Sequence, residues 1–325
     1  MRKLIGVVTA LVAGVSLVGL IVLTAARYVD GDARWLILLA TFSSFAVLGF
    51  LVVLVGCAMA WRGARRRRWV AVFTVLAALG LIVQGFALVP LFVGGSSGKP
   101  DLNVMTSNLE FGRADTVAVV RAVASQHVDV LALEEVTPGA LDALLAAGLP
   151  ELLPNRQGTP SYAANGTMIF SRYRLTSPRP FVIGNGGLDV RVEAARPFRM
   201  LAVHTSQPVG WTGPWLTDIG AVRQRASATV AEGATMLVGD FNATRDHAQL
   251  RAVLDTGLRD AAEQAGSGWQ PTWPTRYRAG WLRPVIAIDH VMTTAPYEAI
   301  RTWTVEIPHT DHRALVAQLR LRSHG

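Results

Sequence analysis

The chain has 325 residues, of which 51% are hydrophobic, and it carries 31 Lys and Arg against 23 Asp and Glu. This length accommodates one large domain and an additional region, and the hydrophobic excess indicates a membrane protein. The single cysteine, Cys57, excludes an intrachain disulfide and a metal site built from several thiolates.

Three apolar segments predict three transmembrane helices, at about residues 4–26, 35–61 and 69–94. Each is long enough to cross a bilayer at about 1.5 Å per residue. A cleaved signal peptide is the alternative for the first segment, because Met1, Arg2 and Lys3 precede it. Its apolar run is longer than the usual signal core of about 7–15 residues, and two more segments follow. Residues 1–94 are therefore expected to form a membrane anchor.

The charges of the loops predict the orientation of this anchor. Five arginines lie between the second and third segments, whereas the charges between the first and second segments cancel; the five are Arg62, Arg65, Arg66, Arg67 and Arg68. Positive loops stay in the cytoplasm, so the N-terminus is predicted to be cytoplasmic. Residues 95–100, rich in Gly and Ser, are expected to be a flexible tether to an extracytoplasmic domain at residues 101–325.

The charge balance of that domain argues against nonspecific DNA binding. Residues 1–99 hold 10 basic and 2 acidic residues, while residues 100–325 hold 21 of each, so the net charge of +8 belongs to the membrane region. A neutral domain lacks the global electrostatic footprint of a nonspecific DNA binder, although a local basic patch is compatible with the same total.

Within the domain, strand patterns alternate with helix patterns. Strands are predicted at residues 102–107, 128–133, 167–171, 189–193, 199–204, 235–238, 285–292, 300–305 and 314–321, and helices at residues 115–126, 217–231 and 246–254. This order predicts an α/β fold in which helices cover the sheets.

Polar side chains follow or interrupt many of the predicted strands, where an α/β scaffold usually carries its site. They are Asn108, Glu135, His204, Asp240, Asn242, Asp289, Asp311 and His312. Asp240 and Asn242 by themselves would fit an ordinary turn. Oxygen ligands such as those of Glu135, Asp311 and Asn108 suit Mg²⁺ or Mn²⁺ better than zinc. A metal, a base and charge-stabilising donors are what phosphoester hydrolysis requires.

Seven motifs in order, over about residues 101–321, resemble the endonuclease/exonuclease/phosphatase superfamily, which includes deoxyribonuclease I-like nucleases, inositol polyphosphate phosphatases and bacterial sphingomyelinases. They are VMTSNLE, DVLALEEV, GTMIFSRYRL, LAVHTS, LVGDFNAT, IDHVM and TDHRAL. The resemblance implies a four-layer α/β sandwich, with two packed, mainly antiparallel sheets flanked by helices, and metal-dependent hydrolysis of phosphoric ester bonds.

The same resemblance implies a role for each site residue. Glu135 is the principal metal ligand, with Asn108 beside it and Asp311 as a second metal-side carboxylate. Asp240 orients or deprotonates the attacking water, and Asn242 hydrogen-bonds the scissile phosphate. His312 faces the phosphoryl group and is oriented by Asp289, and His204 closes the phosphate pocket. This sequence has Glu134 where relatives usually have Gln.

The substrate depends on the loops between the motifs. Two loops, residues 208–215 and 268–281, hold five of the nine Trp residues. These rings either cover a sheet edge or form a rim that meets a lipid chain at the membrane interface.

An anchored domain beside a bilayer favours a lipid-linked phosphoester or pyrophosphate of the cell envelope. The three-span architecture also resembles membrane proteins of glycopeptide-resistance clusters that confer teicoplanin resistance. The alternatives are an extracytoplasmic nuclease, for which Arg276, Arg278 and Arg283 would line a groove, and a non-enzymatic binding protein. The sequence leaves the oligomeric state open.

Overall fold

The protein is described from a computed structural model, which covers residues 2–61, 67–95, 97–275 and 283–322. The chain divides into two compact units. The first comprises Met1–Pro90 together with the short segment Asp246–Ala248, and the second comprises Leu91–Arg245 and Gln249–Gly325.

The first unit is helical. Its helices are α1 (Arg2–Ala26), α2 (Arg34–Thr41), α3 (Ala46–Trp61) and α4 (Arg67–Leu88), with 3-10 turns at Ser43–Phe45 and Val89–Leu91. Among the described residues, two helical stretches are long and apolar enough to cross a membrane, namely Ser43–Trp61 and Arg68–Leu91, with mean hydropathies of 2.3 and 2.4. The described apolar part of α1, Ala10–Ala26, is shorter. Three spans are thus not confirmed. Arg62, Arg65 and Arg66 lie outside the described residues.

The predicted second span is not one continuous helix. α2 stops before Phe42, whose φ of −108° and ψ of 8° leave the helical region, and α3 starts after the 3-10 turn. A break of this kind frees backbone groups that need other partners. Gln84 Nε2 donates to Ser43 O at 2.9 Å, and Ser44 N donates to Asp246 Oδ2 at 2.9 Å. Polar side chains therefore stabilise the interruption, which an apolar sequence pattern does not reveal.

The second unit is an α/β sandwich. Its helices are α5 (Thr116–Ser125), α6 (Pro138–Ala146), α7 (Leu149–Leu152), α8 (Thr212–Glu232), α9 (Ala248–Leu254) and α10 (Ala261–Ala265), the first residue of α9 grouping with the first unit. Its strands are β1 (Leu102–Asn108), β2 (Val130–Glu134), β3 (Asn155–Gly158), β4 (Met168–Ser171), β5 (Leu175–Phe181), β6 (Gly187–Val192), β7 (Phe198–His204), β8 (Thr235–Asp240), β9 (Arg259–Asp260), β10 (Asp289–Thr293), β11 (Tyr297–Glu306) and β12 (Arg313–Leu321).

The strands form two six-stranded sheets, ordered β11-β12-β1-β2-β4-β3 and β5-β6-β7-β8-β10-β9. Each sheet contains one parallel pair, β1 with β2 and β7 with β8, and its other neighbours are antiparallel. Apolar side chains of both sheets, such as Val104, Val130, Met200 and Val238, form one buried cluster. A second cluster joins the other face of the first sheet to α5, α6 and α7. The predicted mainly antiparallel sandwich is confirmed.

The strands that the sequence patterns did not predict lie mostly at the sheet edges. β3 has alternating partial exposure and the polar sequence NRQG, and β5 contains Pro178 and Pro180. Proline lacks the N–H that a central strand must donate, so it is tolerated at an edge. Polar residues and proline usually indicate a loop, so the sequence patterns did not predict these two edge strands.

The segment that enters the second unit is hydrogen-bonded to it. Gly268 N donates to Leu91 O at 2.6 Å, and Gly95 N donates to Gln264 O at 3.1 Å. Ser97 O accepts from Arg320 Nη1 at 2.7 Å. The described residues on both sides of Ser96, within the predicted tether, therefore have partners in the sandwich.

Candidate active site

The site lies where the two parallel strand pairs end. β1 ends in Asn108 and β2 is followed directly by Glu135, while β7 ends in His204 and β8 in Asp240. Parallel neighbours carry their carboxyl ends to the same edge of a sheet, so each pair delivers two polar side chains together. The face-to-face sheets then join the two pairs, since Asn108 Nδ2 donates to Asp240 Oδ2 at 3.1 Å.

Two antiparallel strands complete the set. Asp289 is the first residue of β10 and lies opposite Asp240 in the register of β8 and β10. His312 immediately precedes β12, and its Nδ1 is 3.0 Å from Asp289 Oδ2. His312 Nε2 is 3.7 Å from Asp240 Oδ2 and 3.9 Å from Asp311 Oδ1. Asp311 in turn accepts from Trp273 Nε1 at 3.0 Å.

Glu135 and Asn108 form one side of the site. Asn108 Nδ2 donates to Glu135 Oε1 at 3.2 Å, and the backbone N–H of Phe111 donates to Glu135 Oε2 at 2.7 Å. Glu135 has φ of +56°, a left-handed conformation that is uncommon for a residue with a side chain. The turn therefore directs a carboxylate away from the strand and holds it among hydrogen-bond donors.

His204 is neutral in this environment, because burial lowers its pKa despite the nearby carboxylate of Glu135. Nδ1 lies 3.1 Å from Ala164 O, and Asn185 Nδ2 lies 3.4 Å from Nε2. These partners fit the tautomer in which Nδ1 donates to Ala164 and Nε2 accepts from Asn185. Nε2 is also 3.6 Å from Asp240 Oδ2 and 3.7 Å from Glu135 Oε1.

Asp240 combines burial with neighbouring negative charge. Burial raises its pKa, the charge of Asp289 adds to this shift, and the net result is a pKa of about 7. Asp240 Oδ1 accepts from the backbone N–H of Asn242 at 2.8 Å, and Asn242 Nδ2 donates to Thr205 O at 2.9 Å. The turn at Asn242, with φ of +46°, thus folds back onto the carboxylate.

His312 has the opposite character. Burial alone would lower its pKa, but the carboxylates of Asp289 and Asp240 raise the pKa to about 10. The imidazole is therefore a cation at neutral pH, placed between two acids. A protonated imidazole cannot ligate a metal, so this geometry favours an ion pair over a metal site at His312.

Buried carboxylates and a carboxamide fit a hard divalent cation, whose preferred ligands are oxygens. Asp240, Asp289 and His312 have potential ligand atoms within 4.8 Å of one another, and Asp289 Oδ1 is buried with no hydrogen-bond partner. Glu135 offers a carboxylate beside Asn108 without a paired imidazolium. We therefore regard Glu135 with Asn108 as the better match to a cation.

Glu134 and Gly239 lie directly behind these groups. Glu134 is fully buried, and burial together with the charge of Asp289 raises its pKa well above the usual value. Its Oε1 accepts from Thr106 Oγ1 at 2.9 Å. Gly239 has φ of +135°, and a Cβ at this position would collide with Val203 O and lie 3.0 Å from Glu134 Oε1. Glycine is therefore required where β8 passes the backbone of its neighbour β7, with Glu134 of the other sheet also close.

All eight residues predicted from the sequence join one network, and Asp311 lies at its margin with a one-third exposed side chain. Sequence reasoning missed Asn185, Ala164 and Thr272, whose contacts are structural. Thr272 Oγ1 accepts from Asp289 N at 3.3 Å, and the other two hold His204. Their only sequence signals were a glycine-rich turn around Asn185 and a tryptophan-rich loop around Thr272.

Solved structures similar to this chain share its fold at low identity. Zebrafish (D. rerio) TDP2 in complex with a single-strand DNA product is 15% identical over 67% of this chain and 98% of that one, with a TM-score of 0.57. The mannosyl-6-phosphatase of Bacteroides thetaiotaomicron is 15% identical over 68% and 100%, with a TM-score of 0.54. An endonuclease/exonuclease/phosphatase from Beutenbergia cavernae is 19% identical over 69% and 72%, with a TM-score of 0.54.

No curated protein sequence matches the chain significantly. The profile of the Endonuclease/Exonuclease/phosphatase family matches residues 105–312, an interval that includes every site residue described above. The chain belongs to the Endonuclease/Exonuclease/phosphatase family.

Proposed function

We propose that the second unit is a divalent-metal-dependent hydrolase of phosphoesters or pyrophosphates. The observation that carries this proposal is the hydrogen bond between Asn108 and Asp240. It brings the Glu135 carboxylate and Asn108 carboxamide, which suit a metal, together with a carboxylate that suits a base, across two sheets. Glu135 and Asn108 would hold Mg²⁺ or Mn²⁺, with Asp311 as a further carboxylate. The cation would neutralise phosphoryl oxygens.

In this proposal the protein residues divide the remaining work. Asp240, with its pKa of about 7, orients a water molecule and accepts its proton. The His312 cation, held by Asp289, stabilises the negative charge that develops on the phosphoryl group. Neutral His204 and the Asn242 amide flank the phosphate. Asp289 is a positioning residue, because it acts through His312.

We further propose that the hydrolase is anchored in the cytoplasmic membrane with its site outside, and that its substrate is a lipid-linked phosphate of the envelope. The two candidate spans and the basic Arg67 and Arg68 at the start of α4 support this arrangement. The neutral charge of residues 100–325 supports a lipid substrate over nucleic acid. Action on a lipid carrier would agree with a role in glycopeptide resistance.

The nuclease alternative has support from a structural neighbour, zebrafish TDP2, which was solved in complex with a single-strand DNA product. Of the three arginines considered for a groove, Arg283 is exposed, and Arg276 and Arg278 lie outside the described residues. A purely binding role would require an incomplete site, whereas the described network retains an acid, a base and amide donors.

The test compares two substrates with the full chain in nanodiscs. Phosphate release from a polyprenyl pyrophosphate and cleavage of plasmid DNA are measured with Mg²⁺ or Mn²⁺ and with a chelator. We expect metal-dependent phosphate release and slow DNA cleavage, with both activities abolished in Asp240→Asn. Rapid DNA cleavage without phosphate release from the lipid would contradict the lipid substrate and support the nuclease alternative. Inactivity on both substrates would favour a binding protein.

A further inference from the structure

Five exposed apolar side chains belong to four loops of the second unit, which follow β1, β3, β5 and β7. We refer to them as the apolar rim; they are Phe111, Tyr162, Val182, Val209 and Trp211. Tyr162 is 85% exposed, Val182 97% and Trp211 75%. Large aromatic side chains at this exposure are unusual on a folded domain, and a cluster of them marks an interaction surface. Trp215, in the same segment as Trp211, is by contrast fully buried.

Hydrogen bonds connect three of these loops to the site residues Glu135 and His204. Phe111 contacts Glu135 through its backbone N–H. The loop of Tyr162 provides Ala164 O to His204 Nδ1 at 3.1 Å. The loop of Val182 provides Asn185, whose amide lies 3.4 Å from His204 Nε2. The rim therefore borders the site itself.

A buried carboxylate holds two of the rim loops together. Asp218 Oδ1 accepts from Gly184 N at 2.8 Å, and Asp218 Oδ2 accepts from Ser206 N at 2.7 Å. Gly184 belongs to the loop of Val182, and Ser206 to the loop of Val209 and Trp211. Because Asp218 is 5% exposed, these bonds are shielded from water and fix the loops in one arrangement. The loops that carry the exposed side chains of Val182, Val209 and Trp211 are thus held in place by Asp218.

We propose that the apolar rim is a membrane-docking surface that inserts into the lipid bilayer around the site, so that a phosphate headgroup enters while its hydrocarbon chain stays in lipid. The proposal deepens the proposed function and rests on its membrane anchoring. Tyr and Trp favour the interface between headgroups and acyl chains, and apolar insertion needs no net charge on the domain.

Chain length makes the bilayer the favoured occupant. Ten residues separate Leu91, the end of the apolar stretch, from Leu102, the first residue of β1. Such a segment spans at most about 35 Å when fully extended. A domain attached to a membrane-crossing helix by this segment meets lipid at high effective concentration. Single-stranded nucleic acid, which also stacks on aromatic side chains, is the competing occupant that the test separates.

The first test measures the depth of the rim in the bilayer. The full chain carrying Cys57→Ala and Val182→Cys is labelled with a polarity-sensitive fluorophore and placed in phosphatidylcholine nanodiscs containing spin-labelled lipids. Val117→Cys, at a 54% exposed valine on α5, is the matched control. We expect blue-shifted emission and quenching by the spin labels at residue 182, with water-like emission at residue 117.

Water-like emission at both residues would overturn the proposal, as would a response at residue 182 to a single-stranded oligonucleotide without any response to lipid. The fluorescence measurement needs no turnover. It therefore separates failure of docking from failure of the proposed reaction.

The second test is kinetic. The double variant Val209→Ser, Trp211→Ser should raise KM for a lipid-embedded phosphoester by about tenfold or more. Removing a large apolar side chain that is buried in lipid weakens binding by a factor of about this size. Turnover of a short water-soluble ester should stay unchanged, as should both activities of Val117→Ser. Equal losses of the double variant on the two substrates would contradict docking and indicate damage to the site.

Discussion

Asp240 and Asp289 lie directly opposite each other on the antiparallel strands β8 and β10, with both side chains buried. His312 contacts both, at 3.7 Å from Asp240 Oδ2 and 3.0 Å from Asp289 Oδ2. Two like charges so close in the interior are costly, and a cation between them offsets much of the cost. Burial, together with the charge of Asp289, raises the pKa of Asp240, and the two carboxylates raise the pKa of His312.

Asp240→Asn should separate activity from stability. Loss of the base should lower kcat by about 10²–10⁴-fold. The folded domain should keep or gain thermal stability at pH 8, because the amide removes a buried carboxylate whose ionised form is disfavoured. Steady-state kinetics and thermal denaturation of the same sample measure both effects. A large fall in Tm would instead show that Asp240 supports the fold.

The pH–rate profile should have two limbs. Activity should rise as pH increases through about 7, where Asp240 loses its proton, and fall as pH approaches about 10, where His312 loses its own. Asp289→Asn should move the alkaline limb to lower pH, since it removes a carboxylate that raises the pKa of His312. An unmoved limb would exclude His312 as its source.

Titration of His312 should also lower the stability of the folded protein as pH rises. His312 has a folded-state pKa above its unfolded value of about 6.5, so its favourable pairing is fully present below about pH 6.5 and is lost as pH rises through about 10. Chemical denaturation at several pH values should show this loss in the parent protein. The loss should be smaller in Asp289→Asn.

Glu135→Gln tests the assignment of the metal ligand. The amide preserves the size of the side chain but removes its charge, so the Mg²⁺ concentration for half-maximal activity should rise by at least about tenfold. Glu151→Gln is a suitable control, because Glu151 is an exposed residue on α7. An unchanged Mg²⁺ requirement in Glu135→Gln would move the metal site elsewhere, with Asp240 and Asp289 as the next candidates.

A buried ion pair beneath the Asp240 turn should dominate local stability. His290 Nδ1 is 3.0 Å from Asp260 Oδ2, and His290 Nε2 is 2.9 Å from Ala243 O. Burial alone would lower the pKa of His290, but the hydrogen bond and charge of Asp260 raise it. His290→Gln should lower the free energy of unfolding by about 3 kcal/mol, because the buried Asp260 carboxylate loses its imidazolium partner and keeps the backbone N–H groups of Ala262 and Glu263 as donors.

The matched variant is the pair His290→Gln, Asp260→Asn, in which no unpaired charge remains. Its free energy of unfolding should lie closer to that of the parent than does that of the single variant. Urea denaturation of all four members of the cycle measures the coupling. Additive losses would show that the two side chains act independently.

Gly239→Ala should destabilise the pairing of β7 with β8. An added Cβ would collide with Val203 O at a φ of +135°, which side chains rarely adopt. We expect a loss of about 1–3 kcal/mol together with loss of activity, since Asp240 is the next residue. Gly220→Ala, on the exposed side of α8 where an added Cβ meets no atom, should leave activity unchanged and raise the free energy of unfolding by about 0.5–1 kcal/mol. Equal effects of the two substitutions would argue against strain at Gly239.

The sequence located the candidate site residues more completely than it located the residues around them. Each of four site residues follows or ends an apolar strand, so the strand pattern predicted where it lies; they are Asn108, Glu135, His204 and Asp240. Their partners Ala164, Asn185 and Thr272 come from loops, whose course depends on long-range packing. The helix break at Phe42 was not predicted either. Gln84 and Asp246, which hydrogen-bond the backbone groups freed by the break, are far away in sequence.

The tryptophan-rich loops divide between the two interpretations that the sequence left open. Trp215 is buried and donates to Phe241 O at 3.2 Å, whereas Trp211 is exposed. Trp269 and Trp273 are half-buried, and Trp281 lies outside the described residues. Composition could not distinguish these fates, because burial of each ring depends on which face of its loop meets the sheet.

The bond from Asn108 to Asp240 crosses from one sheet to the other, and each of its ends is the last residue of a strand. A slide of one sheet over the other by a single ångström would break it. Activity at this site should therefore depend closely on how the two sheets are aligned. On heating, turnover should therefore disappear at or below the temperature at which the two-sheet core unfolds.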